Sequence, residues 1–371
     1  MKVPFFDATR EYNYRKEEID RAFSEVIMSG AFILGKQVAD FEEQVKKYTG
    51  AQYAVGVANG SDALLMASDI LGFGNADVLV PAFTFFSSVS CISRLGGKPL
   101  FVDADEDTYN MDMRDAENRM TKNTRGIIPV HLFLQTADMN NCMSLAKKYN
   151  LSVLEDAAEA FGMQTFYKGA NRHAGTIGDF GAFSFFPTKT LGGYGDGGML
   201  VTNNEKLYIL AKSYRSHGAV KKYHHEYVGY NSRLDTLQAA ILLIKLSNIQ
   251  ESIEKRAMHA SCYFDRLKNI SGIKLPVVKE KNAPVNYVFC VQAEKRDKLE
   301  KYLNENGIST SVYYPLPQHL QKCFAYLGYK KGDFPVAEKL CQTLIALPMF
   351  PELNSNELDF VCDTIKEFYN K

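Results

Sequence analysis

The chain has 371 residues, enough for two packed domains, and 46% of them are hydrophobic, enough to fill real cores. Lysine plus arginine and aspartate plus glutamate balance at 43 each, so no overall field draws the molecule to nucleic acid, an anionic membrane or an acidic partner, and any anion site has to be local. The seven cysteines (Cys91, Cys142, Cys262, Cys290, Cys323, Cys341, Cys362) are scattered, with no CxxC and no histidine at metal spacing; they read as reduced thiols of a cytosolic protein without a metal site.

The first residues, MKVPFFDATREYNYRKEEID, turn charged at once and hold no apolar signal-peptide core, and no run of about eighteen apolar residues follows anywhere; neither export nor membrane spanning is expected. From about residue 50 to 205, short β-branched runs alternate with helical patterns, which predicts a mostly parallel, doubly wound sheet with helices on its faces. Ligands of such sheets gather at the carboxyl ends of the strands.

In chain order, the strand YAVGVA leads into NGSDALLMAS, where Gly60 and Ser61 open a helix. Backbone N–H groups, a hydroxyl and the helix dipole there suit a phosphate, although Ser61 or Asp62 as a plain helix cap explains the same residues. After DVLV comes PAFTFFSS, which sets Phe85 at a strand end, as core or as a flat surface for a ligand. The strand KPLFVDA follows. RGIIPVHL ends on His131, which reads equally well as a hydrogen-bonded core histidine, and MNNCMSLAKKYN is helical.

LSVLED closes on Asp156, a carboxylate at the end of an apolar strand that needs a cation or N–H partner; Glu155 points to the opposite face. A hairpin-like excursion, TFYKGANRHAGTIGDFGAFSFF, then returns the chain to the same sheet edge. There PTKTLGGYGDGG presents Lys189 among aromatics, followed by five glycines in seven residues. A solvated lysine needs no such company, whereas a lysine that forms a covalent bond needs a fixed backbone and open space.

Beyond residue 235, TLQAAILLIKLSNIQESIEKRAMHASCYFDRLKNI has apolar residues at three and four spacing and predicts one long connecting helix. The strand NYVFCVQA, the helix DKLEKYLNENG, a turn-rich YYPLPQHL and a last helix then predict a smaller α+β domain. The expected division is residues 1–245 and 246–371.

A phosphate cradle, an acid for a protonated ring nitrogen, a flat aromatic and an imine-forming amine together meet the demands of pyridoxal 5′-phosphate. The same segments, in their order and spacing, resemble the DegT/DnrJ/EryC1/StrS aminotransferases, fold-type I enzymes that aminate nucleotide-linked keto-sugars: SGAFILGKQVADFEE, VANGSDALLMA, VPAFTFFSS, FVDADEDTYNMD, IIPVHLFLQTADM, VLEDAAEAFG, GDFGAFSFFPTKTLGGYGDGGMLVTN and GYNSRLDTLQAAIL. The resemblance implies a seven-stranded, mostly parallel sheet in the large domain. It implies that Lys189 holds the cofactor as an imine and moves the proton, that Asp156 partners the pyridine nitrogen and that Phe85 stacks on the ring. Gly60, Ser61, Asp62 and Ser184 become cofactor contacts around the phosphate, with Asn231 reaching it from a second subunit, so a homodimer with shared sites is implied. Tyr313, Tyr314 and Arg233 fall near the sugar nucleotide, with Lys221 and Lys222 beside its diphosphate. Glu159 stands where glutamine or histidine is usual beside the phenolic oxygen, and a carboxylate donates a hydrogen bond there only when protonated. Tyr313 replaces a common histidine and Leu134 a common glycine, and the loop YKGANRHAG is longer than usual.

The expected reaction is transamination. L-Glutamate aminates the cofactor to pyridoxamine 5′-phosphate, which then aminates a keto-hexose, with a 3-keto sugar on UDP or dTDP favoured by the likeness of KKYHHEYVGYNSRLD. Two alternatives keep the scaffold: a nucleotide-sugar dehydratase, disfavoured by Lys189 because those relatives carry histidine there, and a non-catalytic regulatory protein that binds the cofactor. A nicotinamide-linked dehydrogenase is set aside because no GxGxxG joins a first strand to a helix.

Overall fold

Each alternating run of the sequence becomes an element of one wound sheet. The structure is a computed structural model and describes residues 1–279 and 282–371. Three helices lead in, α1 (Ala8–Tyr14), α2 (Lys16–Ser29) and α3 (Lys36–Thr49). The wound region runs β1 (Tyr53–Val57), α4 (Gly60–Ile70), β2 (Asp77–Pro81), α5 (Phe86–Arg94), β3 (Lys98–Val102), α6 (Met113–Asn118), β4 (Thr124–Ile127), α7 (Met139–Tyr149) and β5 (Ser152–Asp156). The hairpin β6 (Gln164–Tyr167) and β7 (Ala170–His173) intervenes before β8 (Phe180–Ser184), β9 (Gly198–Thr202) and α8 (Glu205–Tyr214). Its turn, Lys168-Gly169, has both residues at positive φ, the geometry that matches strand twist in a two-residue hairpin.

The seven-stranded sheet has the order β1-β9-β8-β5-β4-β2-β3, and β9 alone runs against the rest. Its strands are buried almost throughout, as covering on both faces requires.

A small exposed hairpin, β10 (Ala219–Lys221) with β11 (His224–His225), carries Lys221 and Lys222. The predicted single long helix is in fact two, α9 (Thr236–Ser247) and α10 (Ile249–Leu267). The break falls where Ser247 Oγ (2.7 Å) and Asn248 Nδ2 (3.0 Å) both donate to the Ile244 carbonyl, while the Asn248 N–H turns to Lys245 three residues back. Side chains that bond local carbonyls in this way compete with the helix ladder, and apolar periodicity does not register them.

The remaining described elements are β12 (Ile273–Lys274), β13 (Asn282–Ala283), β14 (Phe289–Ala293), α11 (Arg296–Glu305), two short 3-10 helices (Gln318–Leu320 and Lys322–Leu327), α12 (Pro335–Thr343), β15 (Leu344–Leu347) and α13 (Ser355–Asn370). β12, β14 and β15 form a three-stranded sheet, and β13 extends the β6–β7 hairpin. A second apolar core lies between that sheet and α10, α11 and α13, and Val3 of the N-terminal segment is buried within it. Among the described residues, no helix is long and apolar enough to cross a membrane.

Glu155, one residue before the end of β5, is fully buried. It accepts N–H bonds from Gly175 (2.9 Å), Ile177 (2.7 Å) and Gly178 (2.6 Å), and meets His131 Nε2 at 2.8 Å. His131 Nδ1 accepts from the Ala137 N–H, so Nε2 carries the hydrogen and donates to Glu155. Burial alone would raise the Glu155 carboxyl, but His131 and the amides hold it below the ordinary carboxylate value. His131 is thus the core histidine of the plainer reading.

A depressed carboxyl contributes stability that is present above its unfolded pKa and lost as pH falls through the folded value. Glu155→Gln leaves one amide facing a second donor. It should cost about 2–4 kcal/mol at pH 7 by urea unfolding, and the deficit should shrink below about pH 4. A deficit that stays constant to pH 3 would contradict this account.

Candidate active site

The residues singled out in the sequence converge at the carboxyl ends of β1, β2, β5 and β8. Lys189 lies in the loop from residue 185 to 197 that joins β8 to β9. That loop is closed by Phe185 N–H to Gly197 O (2.8 Å) and by Gly193 N–H to Phe185 O (2.8 Å), and the Lys189 N–H donates to Phe186 O (2.9 Å). Gly192 has to be glycine, since a Cβ there would lie 2.4 Å from the Pro187 carbonyl oxygen. The glycines thus fold the loop onto itself and fix the lysine backbone.

The Lys189 side chain is 15% exposed, with Nζ 3.6 Å from Glu159 Oε1 and 4.4 Å from the centre of the Tyr287 ring. Burial pulls its ammonium down, but Tyr287, Glu159 and Asp156 more than offset this, and the net direction is up.

Asp156 ends β5 on the face opposite Glu155 and is buried. The cationic partner considered for it is not its direct contact: Ser88 Oγ donates to Oδ2 (2.6 Å) and the Ala158 N–H to Oδ1 (3.1 Å). Burial pushes its carboxyl above the ordinary aspartate value. Glu159 is pushed up as well, chiefly by burial, while the Phe133 N–H donates to Oε2 (3.1 Å) and the Tyr314 hydroxyl to Oε1 (3.2 Å). Phe133 and Tyr314 both stand at positive φ (58° and 56°). Two bulky residues in that region mark backbone strain focused on one carboxyl group.

At the start of α4 the cap is neither Ser61 nor Asp62. Asn59 Oδ1 accepts the Asp62 N–H (2.8 Å), so Asp62 lends its backbone to the cap and Ser61 keeps its hydroxyl free for other partners. Ser61 Oγ lies 2.6 Å from Ser87 Oγ in the first turn of α5, so two helix N-termini and two hydroxyls meet. Ser184 closes the group: a Cβ on Gly60 would come within 2.8 Å of Ser184 Cβ. This is a cradle of N–H and O–H donors at two positive helix ends, suited to a phosphate. Phe85 presents its ring beside it, 58% exposed, and its other neighbour is Tyr314, 6.4 Å away between centroids.

Tyr313 and Tyr314 join this cluster from the segment after α11. Tyr314 stacks on Phe133 (6.1 Å), and the Tyr313 hydroxyl lies 3.4 Å from that of Tyr287. Leu134 is buried next to Phe133. Asn231 and Arg233 flank Ser232, whose Oγ accepts the Ala58 N–H (3.1 Å) just before α4. Asn231 is exposed, Arg233 half-buried, and among the described residues neither side chain has a hydrogen bond or ion pair.

Sequence reasoning missed Ser87, Ser88 and Tyr287. The serines were findable, being the first turn of a helix that starts at a strand's carboxyl end. Tyr287 carried no local signal, because only the tertiary fold brings it to Lys189.

With this geometry in hand, comparison with known proteins is decisive. Residues 13–366 match the model of the DegT/DnrJ/EryC1/StrS aminotransferase family. The chain belongs to that family. It is 44% identical over 100% of its length to a pleiotropic regulatory protein of Geobacillus stearothermophilus, 99% of which is covered. It is 39% identical, over 99% of each chain, to the dTDP-3-amino-3,6-dideoxy-alpha-D-galactopyranose transaminase of Aneurinibacillus thermoaerophilus. Among solved structures, DesV of S. venezuelae in complex with a ketimine intermediate has a TM-score of 0.96 at 36% identity, covering 100% of this chain and 99% of that one. NtdA of Bacillus subtilis with bound cofactor PMP has a TM-score of 0.91 at 29% identity, covering 100% and 86%. The fold is therefore that of the pyridoxal phosphate-dependent aminotransferases.

A buried carboxyl with a raised pKa favours folding less as pH climbs through its unfolded and then its folded value. In cofactor-free protein, Asp156→Asn should accordingly raise unfolding stability by about 1–3 kcal/mol at pH 7, with no gain at pH 3. Stability that falls at pH 7 would mean that the carboxylate already has a stabilising partner.

Proposed function

We propose that the protein is an aminotransferase that uses pyridoxal 5′-phosphate to convert a nucleotide-linked keto-hexose to its amino sugar, with L-glutamate as donor. The carrying observation is Lys189 and Asp156 brought to one pocket beside a two-helix hydroxyl cradle. In this reading Gly60, Ser61 and Ser184, with Ser87, hold the phosphate, and Asp62 contributes its place in the first turn. Asp156, held by Ser88 and the Ala158 N–H, would partner the pyridine nitrogen and keep it protonated, and Phe85 would offer its ring to the cofactor. Glu159 would serve the phenolic oxygen, since its raised pKa favours the protonated form that can donate a hydrogen bond.

When bound, the cofactor supplies the electron sink for the substrate carbanion. The chain supplies the rest. Lys189 Nζ takes a proton from one carbon and returns it to another, and the tight loop holds it in place for both transfers. Tyr313 and Tyr314, on the far side of Glu159, face the sugar. The dTDP-3-amino relative favours a 3-keto sugar on dTDP, or on UDP as the sequence pattern also allows.

In this reading Asn231 reaches the phosphate from a second subunit, so the proposal includes a homodimer with shared sites, while Arg233 lies near the sugar nucleotide. Exposed apolar side chains support it: Val228 is 95% exposed and Met28 84%, and exposed Phe32, Ile33 and Leu34 run beside the segment that carries Asn231, with Ile33 bridged to Asp235. The Lys221-Lys222 hairpin stands out on the surface, available to a diphosphate. We place the division between a cofactor-holding unit and a smaller unit at residues 245 and 246. A cytosolic location accords with seven unpaired thiols.

A second reading, a regulatory protein that binds the cofactor without turnover, has one specific observation behind it, the 44% identical regulatory relative. Glutamate separates the two. Purified protein should show a long-wavelength imine band that L-glutamate converts to the shorter-wavelength aminated form, and Lys189→Ala should lack the imine. An imine band indifferent to glutamate and to every keto-sugar nucleotide would favour the regulatory reading. Gly60→Ala, which pushes α4 off Ser184, should weaken pyridoxal phosphate affinity at least about tenfold, read by equilibrium dialysis, with the circular dichroism spectrum unchanged.

A further inference from the structure

A lysine that forms and leaves a covalent link has to rest somewhere as a free ammonium, close to the reacting centre and out of bulk water. A carboxylate attracts it only while ionised, and a carboxyl that burial pushes toward its protonated form holds it weakly. An aromatic face attracts the cation and takes no proton.

Resting on the cofactor reading above, we infer that the ring face of Tyr287 is the holding place of the Lys189 ammonium, which makes Tyr287 a positioning residue for the lysine whenever it is free. Nζ lies 4.4 Å from the ring centre, within range of a cation–π contact. The ring is held from both ends. Its hydroxyl meets Thr188 Oγ1 (3.2 Å) and the Tyr313 hydroxyl (3.4 Å). Its backbone carbonyl accepts from Nη1 of buried Arg256 (3.0 Å), which also reaches Asn286 O (3.4 Å) and Met349 O (2.9 Å). The Tyr287 side chain is thereby fixed before β14 begins, with its face toward the lysine loop.

Among the described residues, the titratable groups around Nζ are the Tyr287 hydroxyl, which also favours the ammonium, and those of four further side chains and Arg256. Glu159 stands at 3.6 Å, Asp156 acts from the end of β5, the Tyr314 hydroxyl donates to Glu159, the Tyr313 hydroxyl meets that of Tyr287, and Arg256 sits behind the Tyr287 backbone. Burial raises both Glu159 and Asp156, which weakens each as an anionic partner. The ring is the one neighbour whose attraction does not depend on its own ionisation. Tyr287 follows a residue at positive φ, Asn286, and precedes a core strand, so it reaches the site from the smaller sheet and ties the lysine to that sheet.

Competitive acetylation of Lys189, followed peptide by peptide in a mass spectrometer from pH 6 to 11, tests this in protein loaded with pyridoxamine 5′-phosphate and again in protein without added cofactor. The titration midpoint should fall by about one pH unit in Tyr287→Leu and stay within a few tenths in Tyr287→Phe. A Leu variant that titrates like wild type would overturn the inference, as would a Phe variant that falls as far as Leu. If Tyr287→Leu does not fold, Tyr287→Phe and its fluorinated phenylalanine analogues serve instead. The midpoint should then drop stepwise as fluorine drains the ring, and a flat series overturns the inference. Failure of the cofactor reading shows separately, as a missing imine band, and leaves the labelling curve readable.

Discussion

Two neighbouring carboxylates on one strand organise this molecule. Because successive side chains of a strand face opposite ways, Glu155 and Asp156 cannot serve the same surface. Glu155 is saturated by three backbone N–H groups and a histidine, and by that saturation it anchors both the turn after His131 and the return of the excursion into β8. Asp156 is left with one hydroxyl and one amide. The difference in saturation is the difference in role. One carboxylate ties the end of β5 to the turns around it, and the other is left with few partners inside the frame that the first secures.

The site around Asp156 is held by constraints that oppose stability. Two carboxyl groups lie buried with their pKa values pushed up, two bulky residues adopt left-handed backbone, and an ammonium is enclosed beside them. Such a concentration of cost in a small volume is common where function is selected over stability. It survives because the surroundings are over-determined: the core on both faces of the sheet is closed, and Asn59 caps α4 without help from Ser61 or the Asp62 side chain.

Much of this was legible in the sequence. The strand ends bearing Asp156 and Phe85, the helix opening at Gly60 and the hairpin excursion are local patterns, and local patterns read well. The opposed faces of Glu155 and Asp156 followed from strand periodicity alone. Other features depended on groups far apart in the chain. Tyr287 and Ser87 meet the site only through tertiary packing; Asp156 has the N–H partner expected of it in Ala158, but its shorter bond comes from the hydroxyl of Ser88, on another element, and the cation lies a step further off. The break between α9 and α10 stayed hidden for another reason: the apolar stripe continues through it, and the interruption is made by two polar side chains bonding the same carbonyl. Periodicity measures which face is apolar and says little about what the backbone does beneath it.

The antiparallel β9 has a consequence for how the lysine loop can change over evolutionary time. Ser184 is registered opposite Gly198, and the two residues bound the loop like the posts of a gate. Ser184 is pressed against Gly60, and a Cβ on Gly198 would collide with the Asn59 carbonyl. A one-residue slip of β8 would turn the serine hydroxyl to the other face of the sheet, and one of β9 would bring a side-chain-bearing neighbour against the backbone of the α4 cap. Insertions and deletions between the posts therefore cannot be absorbed by sliding. Length variation among descendants of this chain should be purged from the lysine loop and displaced to places such as the β6–β7 turn, whose exposed tip answers to no such register.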